Sequence, residues 1–164
     1  MTPSAMPSTS TSTSAGISTS ASDAQRLAER VRDAMLTDDQ ATRMLGMVVA
    51  DVGPGRAVLQ MVVRADMLNG HAICHGGLIT TLADSSFAFA CNSYNELTVA
   101  SGFSVDLLAP ARLGDVLTAS CTELSKAGRT GVYDAEVRNQ RGERIAIFRG
   151  RSHTARGKPV IAPD

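Results

Sequence analysis

The sequence predicts an α+β fold in which an antiparallel six-stranded sheet wraps around one long central helix. One observation is the stretch from Gly76 to about Asn92, where a helical apolar period runs through "LITTLADSSFAFACN" with no proline or internal glycine. Another is the set of six extended runs around it, two before and four after, separated by short turns containing glycine or proline. Links that short join antiparallel neighbours, because a parallel pair needs a crossover of a dozen or more residues.

The elements follow in order. The first 22 residues, "MTPSAMPSTSTSTSAGISTSAS", hold thirteen Ser/Thr and no charge. Such a stretch buries too little apolar surface to offset chain entropy, so residues 1–22 are expected to be a disordered tail. It has neither the basic start and apolar core of a signal peptide nor the arginines of a transit peptide. One domain is expected over residues 23–158. In residues 23–45, Leu27, Val31 and Met35 stand four apart with charges between them, the pattern of a short amphipathic helix. "GMVVADV" and "RAVLQMVVRAD" read as two strands joined at Gly-Pro-Gly. In the central helix Leu78, Ile79, Leu82 and Phe89 gather on one side, while Gly77, Thr80, Thr81, Asp84, Ala88 and Cys91 occupy the other. Four more strands follow in "LTVASGFSVDLL", "DVLTASCTELS", "GVYDAEVRN" and "RIAIFRGRSH".

Composition excludes several classes. At 164 residues the chain accommodates one core and not two of ordinary size. Formal charge is zero, but residues 1–125 carry seven Lys/Arg against twelve Asp/Glu, and residues 126–164 carry nine against four. The C-terminal quarter is therefore where an anion would bind. With no Trp and 4% aromatic residues, the stacking platforms and basic stripe of a nucleic-acid binder are missing. No apolar run approaches the roughly 18 residues of a membrane span. Cys74, Cys91 and Cys121 form no CxxC pair, and their odd number argues for free thiols and a cytoplasmic location.

The chemistry concentrates in "LNGHAICHGGLITTLAD", residues 68–84. A metal reading would use His71, Cys74 and His75, but the helical HExxH pattern wants Glu where this chain has Ala72. Cys74 and His75 make a poor nucleophile and base, since adjacent residues rarely align as a catalytic pair. No metal is expected. "HGG" stands where loop becomes helix, so the first amides of that helix lack internal partners and sit at its positive end, where they can stabilise an anion or an oxyanion. Asp84 in the middle of a helix costs propensity and desolvation, and a purely structural carboxylate there would want a partner such as Ser85, Thr80 or a distant arginine. Combined with the amide-lined helix start, it is the leading catalytic candidate.

"LNGHAICHGGLITTLADSSFAFACN", followed by "VASGFSVDLLAPARLGD", "KAGRTGVYD" and "AIFRGRSH", resembles the phenylacetate-degradation (PaaI) group of hotdog-fold acyl-CoA thioesterases over about residues 40–153. In that family a reactive carboxylate lies eight residues after a glycine whose amide binds the thioester oxygen, and an Asn lies seven before it. Gly76, Asp84 and Asn69 satisfy both spacings. The resemblance implies hydrolysis of an acyl-CoA, aryl-acetyl types such as phenylacetyl-CoA or hydroxyphenylacetyl-CoA included, to free acid and CoA with no cofactor. It implies that Asp84 attacks the carbonyl or activates water, and that His75 and Asn69 hold the turn, with Gly77 and Ser101 assisting. Arg129, Arg149 and Arg151 of the basic quarter are assigned to the phosphates of coenzyme A. A helix rises about 1.5 Å per residue, so Gly76 and Asp84 of one chain lie some 12 Å apart, too far to act on one carbonyl. The expected unit is accordingly a homodimer with shared active sites, assembled into a homotetramer. Two other readings stand beside hydrolysis: an acyl-thioester hydratase or dehydratase using His75, and a non-catalytic acyl-CoA-binding protein.

Overall fold

The structure, a computed structural model, describes residues 15–162, with side chains from residue 21 onward. Helix α1 spans Ala15–Asp38. It buries Ala28 and Val31 against strand β1 and the central helix, and Gln25 Nε2 donates to the Val52 carbonyl at 2.7 Å. The single helix expected over residues 23–45 is two. Asp39 leaves the helical conformation and caps α2 (Gln40–Leu45), its Oδ1 accepting from the Thr42 N–H at 2.9 Å, and Gly46 closes α2 in the left-handed region at φ 66°. An aspartate caps a helix better than it continues one, so it marks a break. The expected tail of residues 1–22 falls in part outside the described residues, and its last stretch, from Ala15, is helical. Extending an existing helix adds one hydrogen bond per residue fixed without a new nucleus, which offsets the mediocre propensity of Ser and Thr.

Strands β1 (Val48–Gly53) and β2 (Arg56–Val62) form the Gly-Pro-Gly hairpin, turning through Gly55 at φ 67°. Helix α3 (Gly76–Asn92) follows, and then β3 (Thr98–Leu107), β4 (Val116–Ala127), β5 (Thr130–Arg138) and β6 (Arg144–Thr154). All pairs are antiparallel, in the order β1-β2-β4-β5-β6-β3. The segment carrying α3 therefore crosses the whole sheet to place β3 at the far edge. Alternation along the strands makes one face of the sheet apolar: Ala57, Leu59 and Met61 of β2 and Tyr133, Ala135 and Val137 of β5 are buried against α3. Phe87 of α3 packs tilted on Tyr133 and Phe148, with ring centroids 5.3 and 5.9 Å away. All three cysteines are buried free thiols. Burial pushes the Cys91 thiol up to about 12, so it is an inert core group. Among the described residues no helix is long and apolar enough to cross a membrane.

A buried carboxylate, Asp115, paired with the exposed Arg141, staples the turns at one end of the sheet. Asp115 is 3% exposed and accepts from the Arg112 N–H at 2.8 Å, Gln140 Nε2 at 3.0 Å and Arg141 Nη1 at 2.9 Å. The Arg141 guanidinium and these N–H donors hold its carboxyl down at about 2. A carboxylate with a depressed folded pKa contributes stability that is full above the ordinary carboxylate range and is lost as pH falls toward about 2. Asp115→Asn is expected to lower neutral-pH stability by about 1–3 kcal/mol and to flatten the acid decline of the melting temperature, which scanning calorimetry across pH would read.

Candidate active site

The turn before α3 is fixed by its own backbone and by one carboxamide. Leu68 and Cys74 pair as an isolated bridge, the Asn69 N–H donates to the Ile73 carbonyl at 2.9 Å, and Ala72 takes a left-handed φ of 56°. That conformation is strained for a residue with a Cβ. The Asn69 side chain helps to hold it, its Oδ1 accepting from the His71 N–H at 2.9 Å. Cys74 N–H bonds the Ala111 carbonyl at 2.8 Å and His75 N–H bonds the Met67 carbonyl at 2.9 Å, so both flanks are tied to neighbouring backbone.

His75 is the N-cap of α3. Its Nδ1 accepts from the Gly77 N–H at 3.0 Å, which in the neutral ring places the proton on Nε2. A Cβ on Gly77 would stand 3.0 Å from that same Nδ1, so glycine is what lets the ring fold over the turn. This narrows the expectation for the HGG amides: the Gly77 amide is consumed internally. The Gly76 N–H has no intrahelical acceptor and no hydrogen-bond partner among the described residues. It lies at the positive end of a 17-residue helix, where a donor best meets developing negative charge. A Cβ on Gly76 would run into Leu107 Cδ1. Sequence reading missed Leu107, because nothing local indicates that a residue from the end of β3 will cover the helix start. A cavity of about 430 Å³ lined by Ile73, Ile79, Leu107, Leu108 and Pro110 opens beside Gly76. Replacing His75 by Ala is expected to cost about 1 kcal/mol of stability, with Asn, which retains an acceptor for the Gly77 N–H, recovering much of it in urea unfolding.

Two turns along α3, the polar side chains divide. Thr80 and Thr81 turn their hydroxyls back onto the carbonyls of Gly76 and Gly77, at 2.9 and 2.8 Å. Asp84 is half-buried and has no hydrogen-bond or ion-pair partner among the described residues, so the expected structural partners Thr80, Ser85 and arginine do not engage it. Desolvation pushes its carboxyl above the ordinary range. A carboxylate so placed can attack a carbonyl or take a proton from water.

The remaining candidates lie apart from this turn. Ser101 sits at the β3 bulge between Ala100 and Gly102 and donates to the Arg151 carbonyl at 3.0 Å. Arg149 and Arg151 point from the sheet face opposite α3, and Arg149 is held bidentately by Asp134 at 2.6 Å on both oxygens. Arg129 Nε donates to the Thr154 carbonyl at 3.0 Å, and its Nη2 meets His153 Nε2 at 2.7 Å. Among the described residues no three His, Cys, Asp or Glu side chains are grouped to hold a metal.

Comparison with known proteins agrees with this architecture. Residues 71–146 match the thioesterase superfamily. The chain is 44% identical over 124 residues to acyl-coenzyme A thioesterase PaaI of Escherichia coli (strain K12), covering 76% of this chain and 89% of that one. It superposes with a TM-score of 0.80 and 42% identity on the solved structure of the E. coli PaaI protein from the phenylacetic acid degradation operon, covering 82% of this chain and 97% of that one. A variant of the phenylacetic acid degradation protein PaaI from Thermus thermophilus superposes with a TM-score of 0.69 and 35% identity, covering 71% of this chain and all (100%) of that one.

Proposed function

Because this chain belongs to the thioesterase superfamily, with the hotdog fold, we propose that it hydrolyses acyl-coenzyme A thioesters, aryl-acetyl thioesters among them, in aromatic catabolism. The observation that carries the mechanism is the presence on one helix of an amide, Gly76, and a half-buried carboxylate, Asp84, neither of which has a hydrogen-bond or ion-pair partner among the described residues. The Gly76 N–H donates to the thioester oxygen and holds the charge that builds there. Asp84 takes a proton from water, whose oxygen bonds the acyl carbon. The C–S bond breaks, and the proton passes to the departing thiolate. In the alternative route the carboxylate itself bonds the acyl carbon and the C–S bond breaks, releasing CoA as its thiolate; water then opens the mixed anhydride to free acid and regenerated carboxylate, its proton passing to the thiolate.

The two groups serve one carbonyl only across a dimer, and the sheet offers an edge for it. β3 is an edge strand with Val99, Phe103 and Leu107 exposed at 59%, 44% and 52%. An apolar open edge is a surface that a second copy covers, by strand pairing and burial. Further assembly into a tetramer extends the same reading. The three free thiols support a cytoplasmic location.

Thiol release from a panel of acyl-CoAs tests the proposal. Release that favours aryl-acetyl chains is expected. Hydration of an enoyl-CoA without thiol release would replace it with a hydratase, and tight binding without turnover would replace it with a sensor. His75 is poorly suited to hydratase chemistry, since its Nδ1 already caps the helix. With ionised Asp84 the active form and its pKa raised by desolvation, kcat/KM is expected to fall as pH drops through a value above the ordinary carboxylate range. A pH profile with no acid limb between about pH 4 and 7 contradicts this assignment.

A further inference from the structure

We infer that Leu107 is a positioning residue for thioester hydrolysis: its side chain, resting on Gly76, keeps water away from the amide that holds the thioester oxygen. This rests on the reading that acyl-CoAs are hydrolysed at Gly76. A Cβ on Gly76 would collide with Leu107 Cδ1 and stand 3.8 and 4.0 Å from its Cγ and Cδ2, so the leucine approaches tip first. The three atoms nearest that position, beyond the glycine's own turn, all belong to Leu107. An N–H of the first helical turn points out of the helix start along its axis, whereas a side chain projects sideways. Leu107 therefore flanks the Gly76 amide and leaves its N–H open to an acceptor.

The backbone holds this cover in place. Leu107 ends β3 and pairs with the fully buried Ala146 of β6. The N–H groups of Leu108 and Ala109 both donate to the Ile145 carbonyl, at 2.8 and 3.3 Å, and the Cys74 N–H donates to the Ala111 carbonyl at 2.8 Å. The strap from Leu107 to Ala111 is thus tied to β6 on one side and to the turn before α3 on the other. The cavity beside Gly76 carries no charged side chain, and its one carboxamide, Asn69, has its Oδ1 turned to the His71 N–H at 2.9 Å. Leu107 is 52% exposed, so core packing alone does not account for it. The second copy proposed to cover the β3 edge would close its open side and complete the seal.

The chemistry gives such a seal a use. When the acyl carbon is attacked, charge moves onto the thioester oxygen, and a single amide must hold it. A donor meeting that charge among apolar groups is stronger than the same donor in water, and water reaching the oxygen would compete for it. The bound thioester carries only partial charge on this oxygen, so the gain falls mainly on the transition state and appears in kcat rather than KM. Leu107 takes part in no bond made or broken. It acts through Gly76.

Thiol release from phenylacetyl-CoA by the whole protein and by Leu107→Ala, Leu107→Met and Leu107→Asn tests this, with circular dichroism and native mass measured first on each. In Leu107→Ala kcat is expected to fall at least about tenfold while KM stays within about threefold. Leu107→Met keeps an apolar tip and should recover most of that loss. Leu107→Asn has nearly the shape of leucine but carries a polar tip that draws water, so it should stay as low as Ala. Leu124, 55% exposed on β4 and outside the cavity lining, gives the control: Leu124→Ala should match the wild type. Wild-type kcat in Leu107→Ala, a loss confined to KM, or Leu107→Asn as active as Leu107→Met overturns the inference. Should Leu107→Ala fail to fold or dimerise, the comparison of Met with Asn decides. If the wild type releases thiol and the Leu107 series is flat, only this role falls. If the wild type releases none from any acyl-CoA, the thioesterase reading falls and this inference with it.

Discussion

Asp84→Asn is expected to fold and dimerise normally while losing at least about a hundredfold in kcat. The amide has nearly the shape of the carboxylate but neither attacks a carbonyl nor takes a proton from water. The same change should leave the melting temperature at neutral pH equal to or above that of the wild type. Its direction follows from the pKa. Burial raises the folded pKa of Asp84, so ionisation at neutral pH works against folding, and a neutral side chain relieves that cost. Activity lost without stability lost separates a catalytic group from a structural one. Near-normal turnover would remove Asp84 from the mechanism, and a melting temperature lowered by several degrees would show that the carboxylate has a structural partner after all.

Chains carrying Asp84→Asn, mixed and exchanged with chains carrying Gly76→Val, are expected to regain activity that neither has alone. Each heterodimer then holds one site with both Gly76 and Asp84 intact. Random reassortment makes half of the dimers mixed, so recovery should approach about a quarter of wild-type turnover. The valine would press on Leu107, whose side chain is exposed and can yield, so circular dichroism and native mass are measured first on each variant. If both variants are folded and demonstrably exchanged yet stay inactive together, the site lies within one chain and the separation along α3 has been misjudged.

Much of the fold was legible because its signals are local. Gly-Pro-Gly at residues 53–55, the long uninterrupted run after Gly77 and the Gly-containing turns between the last strands each act over a few residues. Helix boundaries were less legible: Asp39 reads as another charged residue of an amphipathic pattern until its side chain is seen accepting from Thr42. The anomaly of Asp84 was visible too, since a mid-helix carboxylate among small and apolar residues needs a reason wherever the helix packs.

The sequence by itself thus determined the order of helix and strands and the two residues, Gly76 and Asp84, on which the proposed chemistry turns. Only the tertiary structure decided which amide of the HGG turn remains unclaimed, that Arg149 is spent on Asp134, that Cys91 is core, and that Leu107, from the end of β3, covers Gly76. The difference is physical. Propensity, turn conformation and hydrophobic period depend on neighbours within a few positions. The fate of a single donor or charge depends on which group, tens of residues away, arrives within about 3 Å of it, and that is known only once the strands are in register.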